Sequence, residues 1–263
     1  MAPIAARRAA RDRSHTPVRY LILSDIHANW EALEAVLADA RGGYGEILCC
    51  GDLVDYGAEP ERIVEWARDC VELVVRGNHD RACAGYEDLD WFNPAARAAD
   101  AWTRSVLTPG ALDYLRALPK GPVAMDSFQL LHGSPQDEDE YLVTPQEAAR
   151  VAQYLDRPIS FFGHTHLQGG FLLHRNGVKR LQRPRRDSVR ETLALERDAL
   201  YLINPGSVGQ PRDRDPRAAY LIYDSEDRVV EFRRAPYDIA RAQGKIIDAG
   251  LPDMLAYRLE TGS

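Results

Sequence analysis

The chain has 263 residues, of which 45% are hydrophobic and 28% are charged, with a formal net charge of −7 at pH 7. This composition is typical of a globular protein, and no run of about 18 apolar residues predicts a membrane span. The acidic balance argues against broad nucleic-acid binding, which requires a cationic surface.

The N-terminal segment and the cysteines indicate the compartment. Residues 1–17 are rich in alanine and arginine and lack the apolar stretch of a secretory signal peptide, so we interpret them as a disordered leader. The four cysteines contain no CxxC pair, which favours buried thiols over a disulfide framework; they are Cys49, Cys50, Cys70 and Cys83. Both features predict a cytoplasmic protein.

The first part of the chain alternates predicted strands with predicted helices. Apolar runs at 18–24, 46–50 and 71–75 are typical of buried strands. Between them, one helical pattern ends at Gly42-Gly43 and a second covers 60–70. This alternation predicts an α/β sheet with parallel strands.

A helical insertion is predicted at about 86–118. Two helices begin there at a capping residue followed by proline, Asn93-Pro94 and Thr108-Pro109. A strand over 123–133 follows, and the capping box TPQE begins a helix over 144–155.

The last part of the chain is mostly predicted strand. The apolar runs are 159–163, 170–175, 199–204, 218–224 and 228–234. They are short and separated by turns, so we expect antiparallel pairing, and from Pro236 onward the pattern is helical. No repeat or linker divides the chain, which predicts a single domain over 18–263.

Polar side chains follow five of the predicted strands. The motifs are Asp25-Ile26-His27, Gly51-Asp52-Leu53-Val54-Asp55, Gly77-Asn78-His79-Asp80, His132-Gly133 and Gly163-His164-Thr165-His166. In α/β sheets the carboxyl ends of the strands form the edge where ligands bind. Residues two apart in an extended chain point the same way, so each Asp-x-His or His-x-His pair is expected to face one centre. The glycines before Asp52, Asn78 and His164 are expected to permit sharp turns.

The histidine distribution indicates a metal site. One histidine alone is more often satisfied by backbone carbonyls, but five of the seven lie at these strand ends, beside aspartates and an asparagine. Nitrogen and oxygen ligands suit manganese, iron, zinc or nickel. No cysteine is among these strand-end residues, which argues against a structural zinc site. Seven ligands fit two ions that share a carboxylate, with His164 and His166 expected to hold one ion each.

The ordered motifs Asp-x-His, Gly-Asp-x-x-Asp, Gly-Asn-His-Asp, a lone His and Gly-His-x-His resemble the signature of the calcineurin-like metallophosphoesterase superfamily, over about residues 18–212. The segment NPGSVGQPRD (204–213) is similar to that of its small bacterial and archaeal phosphodiesterases. The resemblance implies a four-layer α/β/β/α sandwich, in which two mixed β-sheets are flanked by helices and a di-metal centre lies at one edge.

The resemblance also implies a role for each site residue. The first ion would be bound by Asp25, His27 and His166. Asp52 would bridge the two ions, and the binding site of the second ion would be completed by Asn78, His132 and His164. His79 resembles the non-ligand histidine that assists the leaving group, and Asp55 the carboxylate that orients it. The implied reaction is in-line attack of metal-bound hydroxide on a phosphoester.

One residue departs from the pattern of the protein phosphatases in this superfamily. They carry GDxxDRG and GNHE, whereas this chain has GDLVDYG, with Tyr56 in place of the arginine, and GNHD. An arginine fork binds a dianionic monoester bidentately, which tyrosine does not do. The sequence therefore favours a small nucleotide-like diester substrate over a phosphomonoester or phosphoserine/phosphothreonine substrate, with Arg76 or Arg212 as candidate replacements. A non-catalytic scaffold is disfavoured because the ligand set is complete.

Two further features have competing interpretations. Residues 175–190 hold seven basic residues and one acidic residue. This segment could be a clamp that binds a polyanion, but a solvated β-hairpin or loop is the favoured interpretation. The aromatic residues near the insertion could stack a nucleobase, although core packing is favoured; they are Tyr86, Trp91, Phe92 and Trp102. The sequence favours no particular oligomeric state.

Overall fold

The computed structural model describes residues 19–86, 89, 92–182, 185 and 188–263. The leader predicted at 1–17 and the aromatic Trp91 lie outside the described residues. Within them, two mixed β-sheets pack face to face and helices cover their outer faces. The fold class is α/β, as predicted.

The first sheet contains strands from both ends of the chain. They are β1 (Arg19–Leu23), β2 (Glu46–Cys49), β3 (Leu73–Val74), β9 (Arg190–Ala194), β11 (Ala218–Asp224) and β12 (Val229–Ala235). Their spatial order is β3-β2-β1-β11-β12-β9. Strands β1, β2 and β3 are parallel, and the remaining pairs are antiparallel.

The second sheet is formed by the middle of the chain. Its strands are β4 (Val123–Ala124), β5 (Gln129–Leu130), β6 (Ile159–Phe161), β7 (Gly169–His174), β8 (Gly177–Arg180) and β10 (Leu200–Asn204). Their order is β4-β5-β6-β10-β7-β8. Here β5, β6 and β10 are parallel, so this sheet is also mixed.

The helices connect the strands and close the outer faces. They are α1 (Trp30–Asp39), α2 (Pro60–Cys70), α3 (Asn78–Cys83), α4 (Pro94–Val106), α5 (Pro109–Ala117), α6 (Pro145–Val151), α7 (Ile239–Asp248) and α8 (Asp253–Thr261). A single 3₁₀ turn, Ala152–Tyr154, extends α6. No helix among the described residues is long and apolar enough to cross a bilayer.

The alternation of side chains along β1 shows how the layers are held together. Tyr20 and Ile22 pack with Phe161 and Tyr201 of the second sheet, whereas Leu21 and Leu23 pack with the helices on the other face. Each fully buried apolar side chain of this size contributes about 1.5–3 kcal/mol. The buried core between the sheets thus fixes the relative position of their edges.

The predicted helix starts are confirmed by their caps. The Asn93 side chain accepts hydrogen bonds from the backbone of Ala95 (3.1 Å) and Ala96 (3.0 Å). Thr108 caps α5 in the same way, and Thr144 forms the predicted capping box with Glu147. Each such cap contributes about 1 kcal/mol.

Several predicted elements differ from the structure. The strand predicted at 123–133 is a short hairpin of β4 and β5, because Asp126 and Ser127 form a turn. The expected antiparallel pairing is found for β7, β11 and β12, but β6 is parallel to both of its neighbours. The segment after β3, for which the sequence indicated only a turn at the glycine before Asn78, continues as helix α3.

The described part of the basic segment agrees with the hairpin interpretation. Strand β8 pairs antiparallel with β7, with Leu173 opposite Val178. Residues 183–184 and 186–187, which include two of its arginines, lie outside the described residues.

Candidate metal centre

One group of potential ligands lies where β1 and β2 end. Asp25, His27, Asp52 and His166 each offer a ligand atom within 4.8 Å of the others. The Nε2 atoms of His27 and His166 are 3.2 Å apart, and Nε2 of His166 is 3.3 Å from Oδ1 of Asp25. All four side chains are buried.

A second group shares Asp52 with the first. His132, from the end of β5, places Nε2 3.3 Å from Oδ2 of Asp52, and His164 completes the group. Oδ1 of Asn78 lies 3.1 Å from Nε2 of His132. The structure thus brings all seven predicted ligands together, and His164 and His166 fall into different groups.

The backbone at the site is not extended, in contrast to the extended geometry expected from the sequence. Six of the site residues have φ between 48° and 68°, in the left-handed region; they are Asp25, His27, Asp52, Asp55, His164 and His166. Non-glycine residues adopt this conformation at a cost of about 1–2 kcal/mol each. Left-handed turns after the strands, rather than strand alternation, aim these side chains at a common centre.

Glycines near the ligands are required mainly for space. Of the three predicted turn glycines only Gly51 has a positive φ, 98°. A Cβ added at Gly77 would overlap the Asp52 carboxylate, and one at Gly163 would overlap the Ser24 hydroxyl. These glycines let neighbouring strand ends approach closely enough to share the centre.

In each candidate ligand histidine, the ring nitrogen that points away from the centre, here called the remote nitrogen, is held by a backbone carbonyl. Nδ1 of His27 donates to Val54 O (2.9 Å), Nδ1 of His132 to Cys50 O (2.7 Å) and Nδ1 of His166 to Gln210 O (2.6 Å). In His164 the roles are reversed, because Nε2 donates to Asp139 O (3.0 Å). Since a carbonyl only accepts, these contacts place the proton on the remote nitrogen and leave the other free as a ligand.

Burial keeps most of these imidazoles neutral. It lowers the pKa of His27 and of His166 well below the usual value, and it lowers that of His164 to about 3, with help from the charge of His132. For His132, burial acts to lower the pKa, but the Asp52 carboxylate raises it more, to about 10. A cation bound between these two residues competes with that proton.

Two buried carboxylate oxygens test whether the site fits cations. Oδ2 of Asp25 and Oδ2 of Asp52 have no hydrogen-bond partner among the described residues. Leaving such an atom unsatisfied in the interior costs about 1–3 kcal/mol. Carboxylate oxygens beside the unprotonated nitrogens of His27 and His166 are the donor set of a borderline divalent cation, so the residues present fit the predicted metal ions.

His79 lies beside the two groups but is held differently. Its Nδ1 is 2.8 Å from Oδ2 of Asp55, a carboxylate rather than a carbonyl. Burial lowers the pKa of His79, but the carboxylates of Asp52 and Asp55 raise it to a net value above the ordinary one. Its other nitrogen has no hydrogen bond to the described residues, so His79 is a candidate proton donor.

A cavity of about 410 Å³ opens over the second group. Its walls include Tyr56, Asn78, His79, Phe92, Tyr141 and His164. Phe92 lies 4.8 Å from the His79 ring and Tyr141 lies 4.1 Å from the His164 ring, centroid to centroid. Of the predicted aromatic residues, Phe92 therefore faces the cavity, whereas Trp102 packs against the helical core and Tyr86 is exposed.

Tyr56 occupies a packed position. Its ring contacts those of His27 (4.5 Å) and His79 (4.6 Å), and only 6% of the residue is exposed. Of the two candidate replacements for an arginine there, Arg76 donates through Nε (3.1 Å) and Nη2 (3.0 Å) to the Glu138 carboxylate. Arg212 forms no ion pair within the described ranges.

Two supports of the site were not identified from the sequence. Asp80 accepts hydrogen bonds from the backbone of Asp52 (2.9 Å), Leu53 (2.9 Å) and Gly77 (3.0 Å), which holds the Asp52 turn against helix α3. The hydroxyl of Ser207 donates to Asp25 O (2.7 Å). Asp80 stands in the GNHD motif, which could have pointed to it.

A third group of polar residues lies behind His79. Asp55, Cys83 and Asp100 are buried together, with their potential ligand atoms within 4.8 Å of one another. Burial, followed by the Asp55 charge, raises the pKa of Asp100 to about 7. Neither Asp100 oxygen has a hydrogen-bond partner among the described residues, although Nη1 of Arg104 lies 3.6 Å away. Asp100 was not predicted, because it lies within an alanine-rich helical pattern.

The cysteines agree with the predicted buried thiols with one exception. Cys49, Cys50 and Cys83 are buried and Cys70 is exposed, and all four are free. Cys70 is the last residue of α2.

Comparisons with known proteins identify the family. A model of the calcineurin-like phosphoesterase superfamily domain matches residues 18–228. An uncharacterized protein of Methanocaldococcus jannaschii is 39% identical over 257 residues, which cover 92% of this chain and 97% of the relative.

Two crystal structures are similar along nearly the whole chain. A metallophosphoesterase from Sphaerobacter thermophilus is 40% identical with a TM-score of 0.81, over 94% of this chain and 100% of that one. A hypothetical protein from Pyrococcus horikoshii, 19% identical, has a TM-score of 0.73 over 94% of this chain and 99% of that one, which shows a shared fold. The chain belongs to the calcineurin-like phosphoesterase superfamily.

Proposed function

We propose that this protein is a phosphodiesterase that hydrolyses a small nucleotide-like diester with two divalent cations. The observation that carries the proposal is the convergence of two ligand groups on one shared carboxylate, Asp52. Two-metal phosphoesterases require such an arrangement, since both cations must reach the same phosphoryl group.

The ligand assignment follows the two groups. The first cation is held by Asp25, His27, Asp52 and His166, and the second by Asp52, Asn78, His132 and His164. Manganese, iron, nickel and zinc all suit this donor set. When bound, such cations neutralise charge on the phosphoryl oxygens and acidify water.

His79 and Asp55 supply the proton to the leaving group. The contact of 2.8 Å between Nδ1 and the Asp55 carboxylate orients the ring and favours its protonated form. The rings of Tyr56 and Phe92 pack on either side of His79, which restrains it at the cavity wall.

The preference for diesters rests on Tyr56. Its ring fills the space between His27 and His79, so no guanidinium group binds a dianionic monoester from that side. Phe92 and Tyr141 offer aromatic faces in the same cavity, which suits a nucleotide-like substrate.

The domain organisation and location are part of the proposal. Strands β11 and β12 complete the sheet begun by β1, which supports one domain over 18–263 with the helices near 86–118 as an insertion. The four free cysteines suit the reducing environment of the cytoplasm.

The test compares bis(p-nitrophenyl) phosphate with p-nitrophenyl phosphate as substrates of the full chain, after removal of metal and reconstitution with manganese, nickel, zinc or iron. We expect hydrolysis of the diester to require added metal and to exceed hydrolysis of the monoester. A strong preference for the monoester would favour a phosphomonoesterase. A folded protein that binds no metal in an elemental analysis would favour a non-catalytic scaffold.

A further inference from the structure

The arginines near the cavity fall into two classes. Arg76 and Arg81 both donate to the buried carboxylate of Glu138, and Arg81 also donates to Asp139 at 2.7 Å. Their positive charge is therefore matched by two acidic side chains. These ion pairs hold the loop after β5 against helix α3, and Arg81 also lines the cavity.

Arg212 and Arg258 share a neutral acceptor instead, and Arg258 also contacts Ser263, the last residue of the given sequence. Nη2 of Arg212 (3.1 Å) and Nη1 of Arg258 (3.2 Å) both donate to one atom, Oε1 of Gln210. Nε of Arg258 donates to Ser263 O at 2.8 Å, and Nε of Arg212 is buried without a hydrogen-bond partner. Neither guanidinium group pairs with a carboxylate side chain in the part of the chain that the structure describes.

The arginine pair lies next to the first ligand group. The backbone oxygen of Gln210 accepts from Nδ1 of His166 (2.6 Å), and the backbone nitrogen of Arg212 donates to His166 O (3.3 Å). Gln210 thus connects the pair to the ligand histidine with both its side chain and its backbone.

The electrostatics agree with this placement. Burial lowers the pKa of His166, and the charge of Arg212 lowers it further. Burial also lowers the pKa of Arg258, the like charge of Arg212 adds to that shift, and Tyr56 and Tyr141 oppose it. Both tyrosines line the cavity, so the arginine pair is electrostatically linked to the space where a substrate would lie.

Two guanidinium groups around one amide oxygen repel each other unless an anion offsets their charge. A phosphate oxygen placed between them would convert this repulsion into charge-assisted hydrogen bonds, which are about twice as strong as neutral ones. Nη1 of Arg212 and Nη2 of Arg258 make no hydrogen bond within the described residues, and both side chains are half-buried, so donors remain for such an anion.

We propose that Arg212 and Arg258 form a binding site for a phosphate group of the substrate, beside His166. This inference rests on the proposed phosphoesterase function for the identity of the ligand. Arg258 belongs to helix α8 and Arg212 to the segment after β10, so the pair lies outside the motif that contains Tyr56.

The binding test is calorimetric titration of the full chain with inorganic phosphate, in the metal-free and manganese-loaded forms. Arg212→Gln and Arg258→Gln are each expected to weaken phosphate binding at least about 10-fold, since a hydrogen bond to a charged group contributes about 1.5–3 kcal/mol. Arg258→Lys, which keeps the charge, is expected to give an intermediate affinity. Arg68→Gln, an exposed arginine on α2, is the matched control and should bind phosphate like the parent.

Kinetics then identify which phosphate is bound. If the pair binds the reacting phosphate, Arg258→Gln raises KM for both bis(p-nitrophenyl) phosphate and a 5′-phosphorylated dinucleotide. If it binds a second phosphate, only the dinucleotide is affected. Either pattern supports the inference.

The inference and the proposed function fail separately. Equal phosphate affinity in parent and arginine variants, or no phosphate binding by the parent in either form, would overturn the arginine site even if diesters are hydrolysed. Weakened phosphate binding in the variants, with no hydrolysis of any diester by the parent, would support the arginine site and contradict the proposed phosphodiesterase function. Thermal melting of each variant checks that it is folded.

Discussion

Two clusters in this protein bury potential metal ligands at similar density, yet they are built for different tasks. The Asp25–His27–Asp52–His166 group and the Asp55–Cys83–Asp100 group both place their ligand atoms within 4.8 Å of one another. In the first group, backbone carbonyls hold the remote nitrogens of both histidines, which leaves the facing nitrogens unprotonated.

The second cluster has no such arrangement. Burial raises the pKa of Cys83, and burial followed by the Asp55 charge raises that of Asp100 to about 7, so the second cluster holds protons on these two groups. Its link to the site is Asp55, which holds His79. The comparison teaches that unprotonated histidine nitrogens facing carboxylates, which Asp55, Cys83 and Asp100 do not provide, mark a candidate metal site better than the number of clustered ligand atoms does.

The largest effect is expected from Asp52→Asn, which removes the carboxylate shared by both ligand groups. An amide is a weaker ligand than a carboxylate, so both cations should be lost and kcat/KM should fall by about 10³-fold or more, the equivalent of several kcal/mol. Elemental analysis and steady-state kinetics measure the two effects. Asp113→Asn on the exposed face of α5 is the control, and an unchanged metal content in Asp52→Asn would contradict the assignment.

His79→Ala should separate proton transfer from metal binding. The variant is expected to retain both cations and to lower kcat about 10²–10⁴-fold, the usual contribution of a positioned proton donor. Metal content is measured on the same samples as turnover. Loss of a cation in this variant would place His79 among the ligands and undo the distinction between the two clusters.

Asp100→Asn tests the proton-holding cluster through pH. Burial and Asp55 raise the pKa of Asp100 from 3.8 to about 7, so the folded protein binds the Asp100 proton more tightly than the unfolded chain does. The parent therefore loses stability as the pH rises from 3.8 to about 7. Asparagine carries no such proton. The Tm of the variant relative to the parent should therefore increase by about 5 °C between pH 5 and pH 8.

The matched control for this pH effect is Asp113→Asn, whose Tm difference from the parent should be the same at both pH values. Calorimetric melting measures all four differences. A constant difference for Asp100→Asn across the range would show that Asp100 does not titrate in that window.

The smallest effect is expected from Cys83→Ala. The substitution removes a buried thiol, at a cost of about 1 kcal/mol in unfolding free energy. Metal content and kcat should match those of the parent, because the proposed cations are bound elsewhere. Loss of a cation in Cys83→Ala, measured by elemental analysis, would mean that the second cluster binds metal as well.

The candidate ligand residues could be located in the sequence because each lies shortly after the end of a strand. Apolar runs locate the strands, and His164 or Asp52 comes within three residues of a strand end. The expectation that an extended backbone directs these side chains to one centre was wrong, however. Left-handed turns bring His27 and His166 together, and Asp and His are among the non-glycine residues that adopt such turns most often.

Residues that act from distant elements could not be found in this way. Asp100 reaches Asp55 only because α4 packs beside α3, and Arg258 reaches Gln210 only because α8 returns to the site. Such contacts depend on how helices dock, and local patterns along the chain do not encode that docking. Arg212 was a candidate from the sequence, but its partner Arg258 was not.

Anomalous diffraction from crystals grown with manganese tests the central claim most directly. The account predicts two peaks about 3.5–4 Å apart on either side of the Asp52 carboxylate, one near His27 and His166 and the other near His132 and His164. A peak between Asp55, Cys83 and Asp100, or no peak beside Asp52, would contradict it.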